Sequence, residues 1–553
     1  MNKYNRNQFT IESLAKDIQG RIVGATDFFS KEGFSGIFNI LNDSNEGDIV
    51  IRHWINEDGI KIAYKKKLAC LITENPRDNS IDIANELNFP IIIVDKIELA
   101  NAFALKWTTN TFAHDTKKVV VSGTNGKSTT THMINHILKS SGANTFTNTD
   151  SKSEYNTLID PMISKLISEE VLSNNSSKLE YLIIEASEVQ GWLGKLMKGH
   201  AYLLTEAINP NSVIITNIAM DHIGLVNSIS EVYEETSGVI KALNKGVALL
   251  NFDDDLVKSM ADFTKKGIEV FFFSTSNYEE FEDSQDNISQ DNISQENIFQ
   301  EDISQDNISQ DNISQDNISQ DNISQESIKN KFLNFDPIKK AIFFENEEIL
   351  TIDELPFKSN HFIQNTVAAI AACISLNLPL NDIKNGVKSY IPLKRRFSRI
   401  NEKPLIIDDF AHNPDGIKAT VNAVYDLAND SDDNVLWIIC AIRGSRGKEI
   451  NKLNAESLAN VISNINSSSL KKTSIKIILS SSDDVVDNAN TVKDFEREIF
   501  VNILKKNNFS FTHYVNLHDA LFETYNQANK EDLILLIGAQ GMDPAESLFR
   551  EII

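Results

Sequence analysis

Short apolar runs bounded by turn residues recur along the first part of the chain. Residues 68–73 (LACLIT) and 89–94 (FPIIIV) have the length and composition of buried strands, and residues 97–107 predict a helix after the second run. The segment contains no catalytic motif of its own. The pattern predicts a small N-terminal α/β domain over residues 1–115.

From Lys118 the pattern changes to repeated units of a strand followed by a helix. Residues 119–121 form an apolar run, a Gly-rich turn follows, and a helix is predicted through Lys139. Residues 181–184 (YLII) and 213–215 are further short buried strands. Each run ends in polar residues, as expected where a parallel sheet opens its carboxyl edge to a ligand. We predict a central parallel-sheet domain over residues 116–392.

A third unit is predicted over residues 393–553. Four apolar runs, at residues 404–407, 435–440, 475–479 and 533–537, resemble strands and are separated by helical stretches. This alternation is typical of a Rossmann-like α/β domain. No GxGxxG motif accompanies it, so a dinucleotide cofactor is not indicated. The predicted fold class is α/β with three domains.

A tandem repeat of the type DNISQ occupies residues 283–327, with isoleucines every five residues from Ile288 to Ile328. In a helix, residues five positions apart differ by about 140° around the axis, so the isoleucines of this repeat would not form an apolar stripe. A pentapeptide solenoid needs a small residue two positions before the central apolar one, where this repeat usually has Asp, which would be buried. We predict a disordered acidic insertion in a surface loop, over residues 284–328.

Charge and cysteine content narrow the classes of function. The 553 residues have a formal net charge of −25, which argues against a nucleic-acid or anionic-membrane binder. Cys70, Cys373 and Cys440 lie far apart, so a zinc ribbon or disulfide framework is excluded and a reducing compartment is indicated. The N-terminus is polar, and no apolar run is long enough to span a bilayer. We expect a soluble, cytoplasmic protein.

The strongest motif lies between the predicted strand at 119–121 and the helix after it. It consists of Gly123, Thr124, Asn125, Gly126, Lys127, Ser128 and Thr129. Glycines let backbone N–H groups wrap phosphates, and the positive end of the helix adds to the attraction. Lys127 would reach the β- and γ-phosphates of ATP, and the Ser128 hydroxyl would bind Mg²⁺. The longer GxxxxGK[ST] pattern is not met, and the alternative is a Gly-rich turn with an exposed lysine.

Further motifs follow in the order found in the Mur ligase family, which the chain resembles and which shares the short GTNGKS loop with folylpolyglutamate synthetases. Glu185 ends YLIIE and precedes Ala-Ser-Glu, similar to E-x-S-S, and residues 216–222 (TNIAMDH) match TN-x-x-x-DH. The resemblance implies that Glu185 and Ser128 bind Mg²⁺, that His222 helps to hold a second metal ion, and that Asp221 supports that site. Residues 251–254 (NFDD) resemble N-x-DD, a mainly structural motif.

Two motifs resemble the family's segments around the start of the C-terminal domain. Residues 361–369 (HFIQNTVAA) are similar to HN-x-x-N-x-x-AA, in which the second Asn meets adenine. Asn365 fits that position, whereas Phe362 replaces the first Asn. Arg396 stands where the family has an Arg, although Arg395 replaces the usual Gly.

The string DDFAHNP at residues 408–414 is nearly a copy of the family's D-[YF]-AH-x-P. The resemblance implies that Asp409, His412 and Asn413 contact the nucleotide when the C-terminal domain closes. Arg443 and Arg446 lie in AIRGSRGKE, which resembles the family's G-x-G-x-R-D loop, and Arg446 matches best. The resemblance covers about residues 118–278 and 330–545, with a weak match at residues 46–48.

Two departures from the family pattern bear on the substrate and the metal. Muropeptide ligases have a carbamoylated Lys four residues after a Tyr, whereas here Ser237 follows Tyr233 at that distance and the nearest lysine is Lys241. The second metal is then held differently. The DNPR-like string that recognises diaminopimelate in some family members is absent from the C-terminal unit, where residues 480–484 (SSSDD) occupy the equivalent stretch. The acceptor is therefore expected to be another amino acid.

The resemblance implies an ATP-dependent, ADP-forming ligase that uses ATP and Mg²⁺ to join an amino acid to a carboxylate through an acyl phosphate. The expected substrates are an amino acid and a UDP-linked peptide bound by the N-terminal domain, in the synthesis of peptidoglycan or pseudomurein precursors. Nucleic-acid partners and membrane insertion are not expected. Two alternatives stay open. One is a glutamate ligase like folylpolyglutamate synthetase, and the other is a non-catalytic regulator that binds nucleotide.

Overall fold

The computed structural model describes residues 10–24, 36–149, 159–173, 178–192, 195–221, 225–276, 331–345, 347–428, 434–468, 473–488 and 490–553. Three sheets follow one another along the chain, and helices pack against each of them. The protein is therefore a mixed α/β protein, as the hydrophobic pattern predicted.

The N-terminal part forms a five-stranded sheet and a two-stranded ribbon. The strands are β1 (Arg21–Val23), β2 (Phe38–Asn39), β3 (Ile49–Ile51), β4 (Trp54–Ile55), β5 (Cys70–Thr73), β6 (Asn75–Pro76) and β7 (Ile91–Ile93). The sheet has the order β1-β7-β5-β3-β2, and only β1 runs antiparallel to its neighbour. Strands β4 and β6 pair at the carboxyl ends of β3 and β5. The two strands predicted in this region, β5 and β7, are confirmed.

The central part is built on a nine-stranded sheet with a short hairpin beside it. The strands are β8 (Lys117–Ser122), β9 (Thr145–Thr147), β10 (Tyr181–Glu185), β11 (Gly191–Trp192), β12 (Lys195–Leu196), β13 (Ser212–Ile215), β14 (Val247–Asn251), β15 (Glu269–Ser274), β16 (Lys331–Asp336), β17 (Ala341–Phe344) and β18 (Glu347–Thr351). The order is β18-β17-β16-β15-β14-β13-β8-β10-β9. The seven neighbouring strands β16, β15, β14, β13, β8, β10 and β9 are parallel, so their carboxyl ends share one edge.

The C-terminal part forms a six-stranded sheet. The strands are β19 (Ser398–Glu402), β20 (Leu405–Asp409), β21 (Val435–Ala441), β22 (Ser474–Ser480), β23 (Phe511–Tyr514) and β24 (Leu533–Ile537). They lie in the order β19-β20-β24-β21-β22-β23, and all pairs except β19–β20 are parallel. The four runs predicted as strands are β20, β21, β22 and β24, which confirms the Rossmann-like pattern.

Sixteen α-helices connect these strands within the described residues. They are α1 (Ile11–Asp17), α2 (Glu57–Lys65), α3 (Ser80–Glu86), α4 (Ile97–Phe112), α5 (Lys127–Ser140), α6 (Pro161–Ser173), α7 (His200–Ile208), α8 (Ile229–Ala242), α9 (Asp255–Ser259), α10 (Asn360–Ser375), α11 (Leu380–Lys388), α12 (Pro414–Asp426), α13 (Lys448–Ser468), α14 (Asp494–Lys506), α15 (Leu517–Gln527) and α16 (Ala545–Ile552). None of the helices described is long and apolar enough to cross a membrane.

Helices cover both faces of the central sheet, and this explains why β8 is apolar without alternation. Val120 packs into the core on the face with α4, α6, α7 and α8, whereas Val119 and Val121 pack on the face with α5 and α10. All three valines are fully buried. A parallel strand covered on both sides needs an apolar residue at every position. The carboxyl end of β8 is therefore placed rigidly, together with the loop that follows it.

The N-terminal sheet is docked on the central part through α4, which packs against α6 and α7. Lys165 on α6 pairs with Asp43 Oδ2 at 2.5 Å, and the Thr109 hydroxyl on α4 donates to the Ala207 carbonyl at 3.1 Å. The three sheets lie within residues 21–93, 117–351 and 398–537. Domain limits after residues 115 and 392 are our proposal for dividing the chain.

The DNISQ repeat lies outside the described residues, which end at Ser276 and resume at Lys331. Ser276 lies two residues beyond the end of β15, and Lys331 begins the adjacent parallel strand β16. The Asn334 side chain donates to the Ser276 carbonyl at 3.1 Å. The connection must therefore run from the carboxyl end of β15 back to the start of β16. Strand β16 is six residues long, and a path along it spans about 20 Å at the rise of a strand.

We predict that deleting residues 284–327 leaves the melting temperature within about 2 °C of the full chain, which for a domain of this size is under ~1 kcal/mol. The ten residues that remain between Ser276 and Lys331 can span about 33 Å, which is more than the return path requires. Differential scanning calorimetry of both proteins measures this. A drop of ten degrees or more would show that the repeat stabilises the fold.

Candidate active site

The Gly-rich loop connects β8 to α5 at the carboxyl edge of the central sheet. Gly126 has φ +84°, and a Cβ there would lie 2.2 Å from the Asn365 amide oxygen on α10. Gly123 has φ +118°, and a Cβ there would lie 2.3 Å from the Thr216 hydroxyl. Only glycine fits both the left-handed backbone and the close neighbours. The loop therefore presents its backbone and the start of α5 to the space above the sheet.

The TNIAMDH segment holds this loop from the end of β13. Asn125 N donates to Asn217 Oδ1 at 2.9 Å, and Asn217 Nδ2 donates back to the Asn125 carbonyl at 2.9 Å. The Thr216 hydroxyl donates to the same carbonyl at 2.7 Å, and Thr124 N donates to the Asn217 carbonyl at 2.8 Å. These bonds satisfy backbone groups that an open turn leaves unpaired. Thr216 and Asn217 therefore fix the shape of the loop.

The NFDD segment supports the same region from the end of β14. Asn251 Nδ2 donates to the Thr216 carbonyl at 2.7 Å, and Ile218 N donates to Asp254 Oδ2 at 2.8 Å. Asp254 also caps α9 through the N–H groups of Leu256 and Val257. The residues act on the backbone, which agrees with the structural role expected of this motif.

Lys127, the first residue of α5, has a side chain that is 14% exposed and an ammonium group with three hydrogen-bond acceptors. Its Nζ donates to the carbonyls of Gly123 and Thr124 at 2.7 and 2.8 Å and to Glu188 Oε2 at 2.8 Å. Burial by itself would lower the pKa of Lys127, but the charges of Glu188 and Glu185 outweigh burial and raise it. The lysine is therefore held protonated, as a residue that binds phosphate must be.

Ser128 and Glu185 form a pair of oxygen ligands beside the lysine. The Ser128 hydroxyl donates to Glu185 Oε1 at 2.8 Å, and the Thr149 hydroxyl donates to Glu185 Oε2 at 2.8 Å. The Glu185 carboxylate is 5% exposed. A hydroxyl and a carboxylate are the hard donors that Mg²⁺ prefers, so the residues present fit this ion. Among the described residues there is no cluster of three or more His, Cys, Asp or Glu side chains.

Residues of the C-terminal part face the loop across the cleft. Asn413 Nδ2 donates to Asn125 Oδ1 at 2.9 Å and to Asp221 Oδ2 at 3.3 Å, while its Oδ1 caps α12 through Gly416 N. His412 Nδ1 donates to the Phe410 carbonyl at 2.7 Å, which directs Nε2 to Asp221 Oδ2 at 3.5 Å. Asp221 is therefore a contact point between the two parts of the protein.

Arg396 makes a second link across the cleft. Its Nη2 donates to the Ser128 hydroxyl at 3.3 Å, and its guanidinium lies 4.4 Å from the centre of the Phe410 ring. Asp409 supports this wall from inside, since its carboxylate accepts the N–H groups of Phe397 and Ala411. The positive charge of Arg396 thus stands beside the hydroxyl proposed for the metal.

The two walls enclose a cleft with a volume of about 490 Å³, within the range of small-molecule sites. It is lined by residues 124–129, Glu185, Asn365, Arg396, Asp409, His412 and Asn413, all of which were singled out from the sequence. Gly123, the first residue of the loop, does not line the cleft. The structure thus brings residues far apart in the chain onto one cleft with cations, hard oxygen donors and a helix N-terminus. That arrangement suits a nucleoside triphosphate.

Two profile comparisons agree with this architecture. The Mur ligase middle domain matches residues 121–373, and the Mur ligase glutamate ligase domain matches residues 395–540. Together they span both walls of the cleft. The chain belongs to the Mur ligase family.

Individual relatives are more distant. A UDP-N-acetylmuramate–L-alanine ligase of Caldicellulosiruptor saccharolyticus is 25% identical over 321 residues, which is 57% of this chain and 54% of the relative. The corresponding ligase of Rickettsia prowazekii is 41% identical over 96 residues, 17% of this chain and 19% of the relative. The chain thus spans about half or less of the length of these curated relatives.

Solved structures share the fold over nearly the whole chain. MurF from Acinetobacter baumannii superposes with a TM-score of 0.62 at 15% identity and covers 98% of both chains. A pseudomurein peptide ligase type C from Methanothermus fervidus has a TM-score of 0.50 at 16% identity, over 91% of this chain and 100% of that one. A bifunctional folylpolyglutamate synthase/dihydrofolate synthase has a TM-score of 0.51 at 16% identity, over 81% of this chain and 93% of that one. At these identities the likeness shows the fold alone.

Two departures from the Mur ligase pattern have physical explanations. Arg395 has φ +59°, the left-handed region in which glycine is usual. Its buried guanidinium offsets that strain with bonds to the carbonyls of Gly538 and Ala539 at 2.6 and 3.1 Å, and it pairs with Asp408 and Asp543. Burial still raises the pKa of Asp408 to about 6, against the opposite effect of Arg395.

Phe362, which replaces an Asn of the family, is 1% exposed and packs between aromatic rings. Its ring centre lies 4.9 Å from that of Phe357 and 5.9 Å from that of Tyr390. The side chain belongs to the apolar core beneath α10, so the substitution does not place a polar group in the cleft.

Other predicted residues lie elsewhere. His222 falls outside the described residues, so its metal-binding role stays a prediction. Arg446 does not line the cleft, and its backbone N–H donates to Glu496. The arginine of that loop whose guanidinium reaches Asp221 is Arg443, at 3.6 Å. Lys241, in the segment without the carbamoylated lysine, lies over Phe263 at 4.4 Å.

The sequence analysis missed Glu188 as a site residue. It is fully buried and bonded to Lys127. The Ala-Ser-Glu string after Glu185 contained the signal, because a charged residue three positions beyond a strand end at a phosphate loop is expected to meet a cation. The residue was passed over because E-x-S-S has no acid at that position.

We predict that Lys127→Ala lowers the free energy of unfolding by about 3–5 kcal/mol, because it leaves the Glu188 carboxylate buried without its ammonium partner. In the double variant Lys127→Ala/Glu188→Gln, part of this loss is recovered, with a coupling energy of about 1–3 kcal/mol. Urea denaturation followed by circular dichroism measures the cycle.

The matched control is Lys178→Ala, which removes the exposed ion pair with Asp115 and should cost no more than about 1 kcal/mol. Additive effects of the two substitutions at Lys127 and Glu188 would contradict the ion pair.

Proposed function

We propose that the protein is an ADP-forming ligase that activates a carboxylate with ATP and joins an amino acid to it. The observation that supports this proposal is that residues of the central part and of the C-terminal part form the two opposite walls of one cleft. One wall presents a phosphate loop, a protonated lysine and the Ser128–Glu185 pair, and the other presents Arg396, His412 and Asn413. A site that only bound nucleotide would need no such pair of walls.

A free carboxylate is a poor acyl donor because its leaving group is oxide. Attack of the carboxylate on the γ-phosphorus of ATP forms an acyl phosphate and releases ADP, and attack of an amine then forms the amide and releases phosphate. Mg²⁺ held by Ser128 and Glu185 would neutralise charge on the phosphate oxygens. Lys127 would stabilise the negative charge of the transferring group. The chain supplies positioning and charge, and no nucleophile of its own is required.

Contact between the walls supplies the positioning. The Asn413–Asn125 and Arg396–Ser128 hydrogen bonds join the C-terminal wall directly to the phosphate loop. Closing the cleft removes water from the acyl phosphate and orients the reactants, which is where most of the rate enhancement of such a ligase originates.

A nucleotide-linked carboxylate is the substrate class we propose, with residues 1–115 as its binding domain and cell-wall precursor synthesis as its pathway. Support comes from the curated relatives, which are named as acting on UDP-N-acetylmuramate, and from the carboxyl ends of β3 and β5. Arg52 directly follows β3 and Arg77 directly follows β6, and their guanidinium carbons lie 4.9 and 4.8 Å from the Trp54 ring centre. Two guanidinium groups beside one ring suit a diphosphate.

The direct test is release of phosphate and ADP from ATP, with UDP-N-acetylmuramate or UDP-linked peptides as acyl donors and a panel of amino acids as acceptors. We expect turnover that requires both partners. Turnover with a folate and glutamate instead would establish the folylpolyglutamate-type alternative, and ATP binding without turnover under any pair would establish the non-catalytic regulator.

We predict that Lys127→Ala reduces this turnover by at least about 10²-fold, the usual effect of removing one donor to a developing oxyanion. The assay is run at a temperature where circular dichroism shows the variant folded, with Lys178→Ala as the control that retains full activity. Turnover of Lys127→Ala near the wild-type level would rule out the assigned phosphate site.

We predict that Arg77→Ala raises the KM for the UDP-linked donor about tenfold, the effect expected on losing a charge-assisted hydrogen bond. The KM for ATP stays unchanged, because the ATP cleft lies on the central sheet. Steady-state kinetics with each substrate varied in turn separate the two constants. A rise in the KM for ATP alone would contradict the assignment of the N-terminal domain.

A further inference from the structure

The segment of residues 443–447 links β21 to α13 and includes Arg443, which lies at the edge of the cleft. Its backbone is unusual, because Ser445 and Gly447 have φ +55° and +90°. Gly444 is packed so tightly that a Cβ there would lie 2.0 Å from the Asn490 carbonyl. A non-glycine residue in the left-handed region costs about 1 kcal/mol or more and persists only where neighbours hold it.

The neighbour that holds this segment is Glu496, in the first turn of α14. Its Oε1 accepts the N–H groups of Arg446 and Gly447 at 2.9 and 2.6 Å. Its Oε2 accepts those of Ser445 and Lys493, both at 3.0 Å. The side chain is 0% exposed. Both carboxylate oxygens are thus fully used by backbone donors.

The site that holds this carboxylate is formed by two helix starts. Arg446 and Gly447 immediately precede α13, and Lys493 immediately precedes α14. Free N–H groups and the positive ends of the helix dipoles converge there, which is the arrangement that binds anions. Here a side chain of the protein itself is the anion. The segment is therefore held in one conformation without a ligand.

Fixing the segment places Arg443. Asn451 on α13 bonds the backbone of Arg443 on both sides, accepting its N–H at 3.1 Å and donating to its carbonyl at 2.8 Å. The Arg443 guanidinium, 10% exposed, then extends to Asp221 Oδ1 at 3.6 Å. Asp221 lines the cleft. The position of the guanidinium therefore depends on the backbone that Glu496 and Asn451 hold.

We propose that Glu496 is a positioning residue for the cleft. It occupies the anion site between α13 and α14 and thereby holds residues 443–447 so that Arg443 joins the C-terminal wall to Asp221 when a nucleotide is bound. The inference rests on the proposed function, since it assigns Arg443 to closure over a triphosphate. Neither residue was assigned this role by the family motif, whose best match in the segment is Arg446.

The test uses Glu496→Gln in the full chain, with Mg²⁺ and the non-hydrolysable ATP analogue AMPPNP as the probe. The amide retains the shape of the side chain but turns an NH₂ group toward backbone donors. We expect the Kd, measured by isothermal titration calorimetry, to rise about tenfold, as for loss of one charged hydrogen bond. Hydrogen exchange at the amides of Ser445, Arg446 and Gly447 should become faster.

A double-variant cycle with Arg443 distinguishes positioning from a general structural role, because a merely structural role predicts no coupling between the two residues in the Kd. Arg443→Ala should raise the Kd by a similar factor, and adding Glu496→Gln to it should change the Kd by less than about twofold, because residues that act through one contact are non-additive. The proposal would be overturned if the increase in Kd of the double variant equalled the product of the increases in the two single variants. An unchanged Kd in Glu496→Gln would also overturn it. Should Glu496→Gln fail to fold, Glu496→Asp retains the charge, shortens the reach and is carried through the same cycle.

Asp532 provides the matched control. It is 1% exposed and accepts the N–H groups of Val435 and Asn529 and the Trp437 indole, at the amino end of the same sheet. Asp532→Asn should lower the melting temperature as Glu496→Gln does while leaving the Kd for AMPPNP unchanged. An equal rise of the Kd in both variants would show a general loss of stability and overturn the proposal. Absence of AMPPNP binding by the wild-type protein would instead refute the proposed function itself.

Discussion

The reciprocal hydrogen bonds between Asn125 and Asn217 hold the phosphate loop in the shape on which the cleft depends. A loop of glycines and small polar residues has many backbone conformations, and only one of them directs its N–H groups and the start of α5 at the same point. Asn217 and Thr216 select that conformation from the next strand of the sheet. Asn251 and Asp254 then hold the backbone of the selecting segment. The segments that follow β8, β13 and β14 are therefore each held in place by the segment at the end of the neighbouring strand.

The C-terminal wall is held to this loop by a few polar contacts. Asn413, Arg396 and the Asp221 pairs cross the cleft, and each is a hydrogen bond or ion pair at its rim. Beside these polar contacts, the Phe397 ring lies 5.8 Å from that of Phe357 and 5.5 Å from that of His361. A mixed interface of this kind within one chain allows its two parts to move relative to each other. A ligase that must admit ATP, a carboxylate and an amine and then exclude water needs such an interface. The side chains that cross it are correspondingly fixed on their own side, as Asn413 is by capping α12 and Arg443 by Asn451.

The inner strands of the three sheets were predictable because each is a short apolar run, whereas outer strands such as β19 and β23 carry mixed sequences and were not predicted. β8, β10, β13 and the four C-terminal strands were predicted within one or two residues of their ends, and the motif residues at their carboxyl ends do converge on one cleft. What pattern matching could not supply was the choice between Arg443 and Arg446. The motif favoured Arg446, whereas the guanidinium that lies 3.6 Å from Asp221 in the structure is that of Arg443.

The sequence by itself determined the α/β class, the phosphate loop and the family resemblance. Each of these depends on residues that are neighbours in the chain: the spacing of apolar residues, the glycines of the loop and the Gly-Lys-Ser string. The burial of Glu188 against Lys127, the use of Arg395 in place of glycine and the occupation of an anion site by Glu496 were decided only by the tertiary structure. Each joins residues distant in the chain, and in each a charge is stable only because the fold brings its partner groups within hydrogen-bonding distance while excluding water. Local patterns marked Glu188 and Arg395 as departures from the family motifs, but they could not record which distant groups each charge would meet.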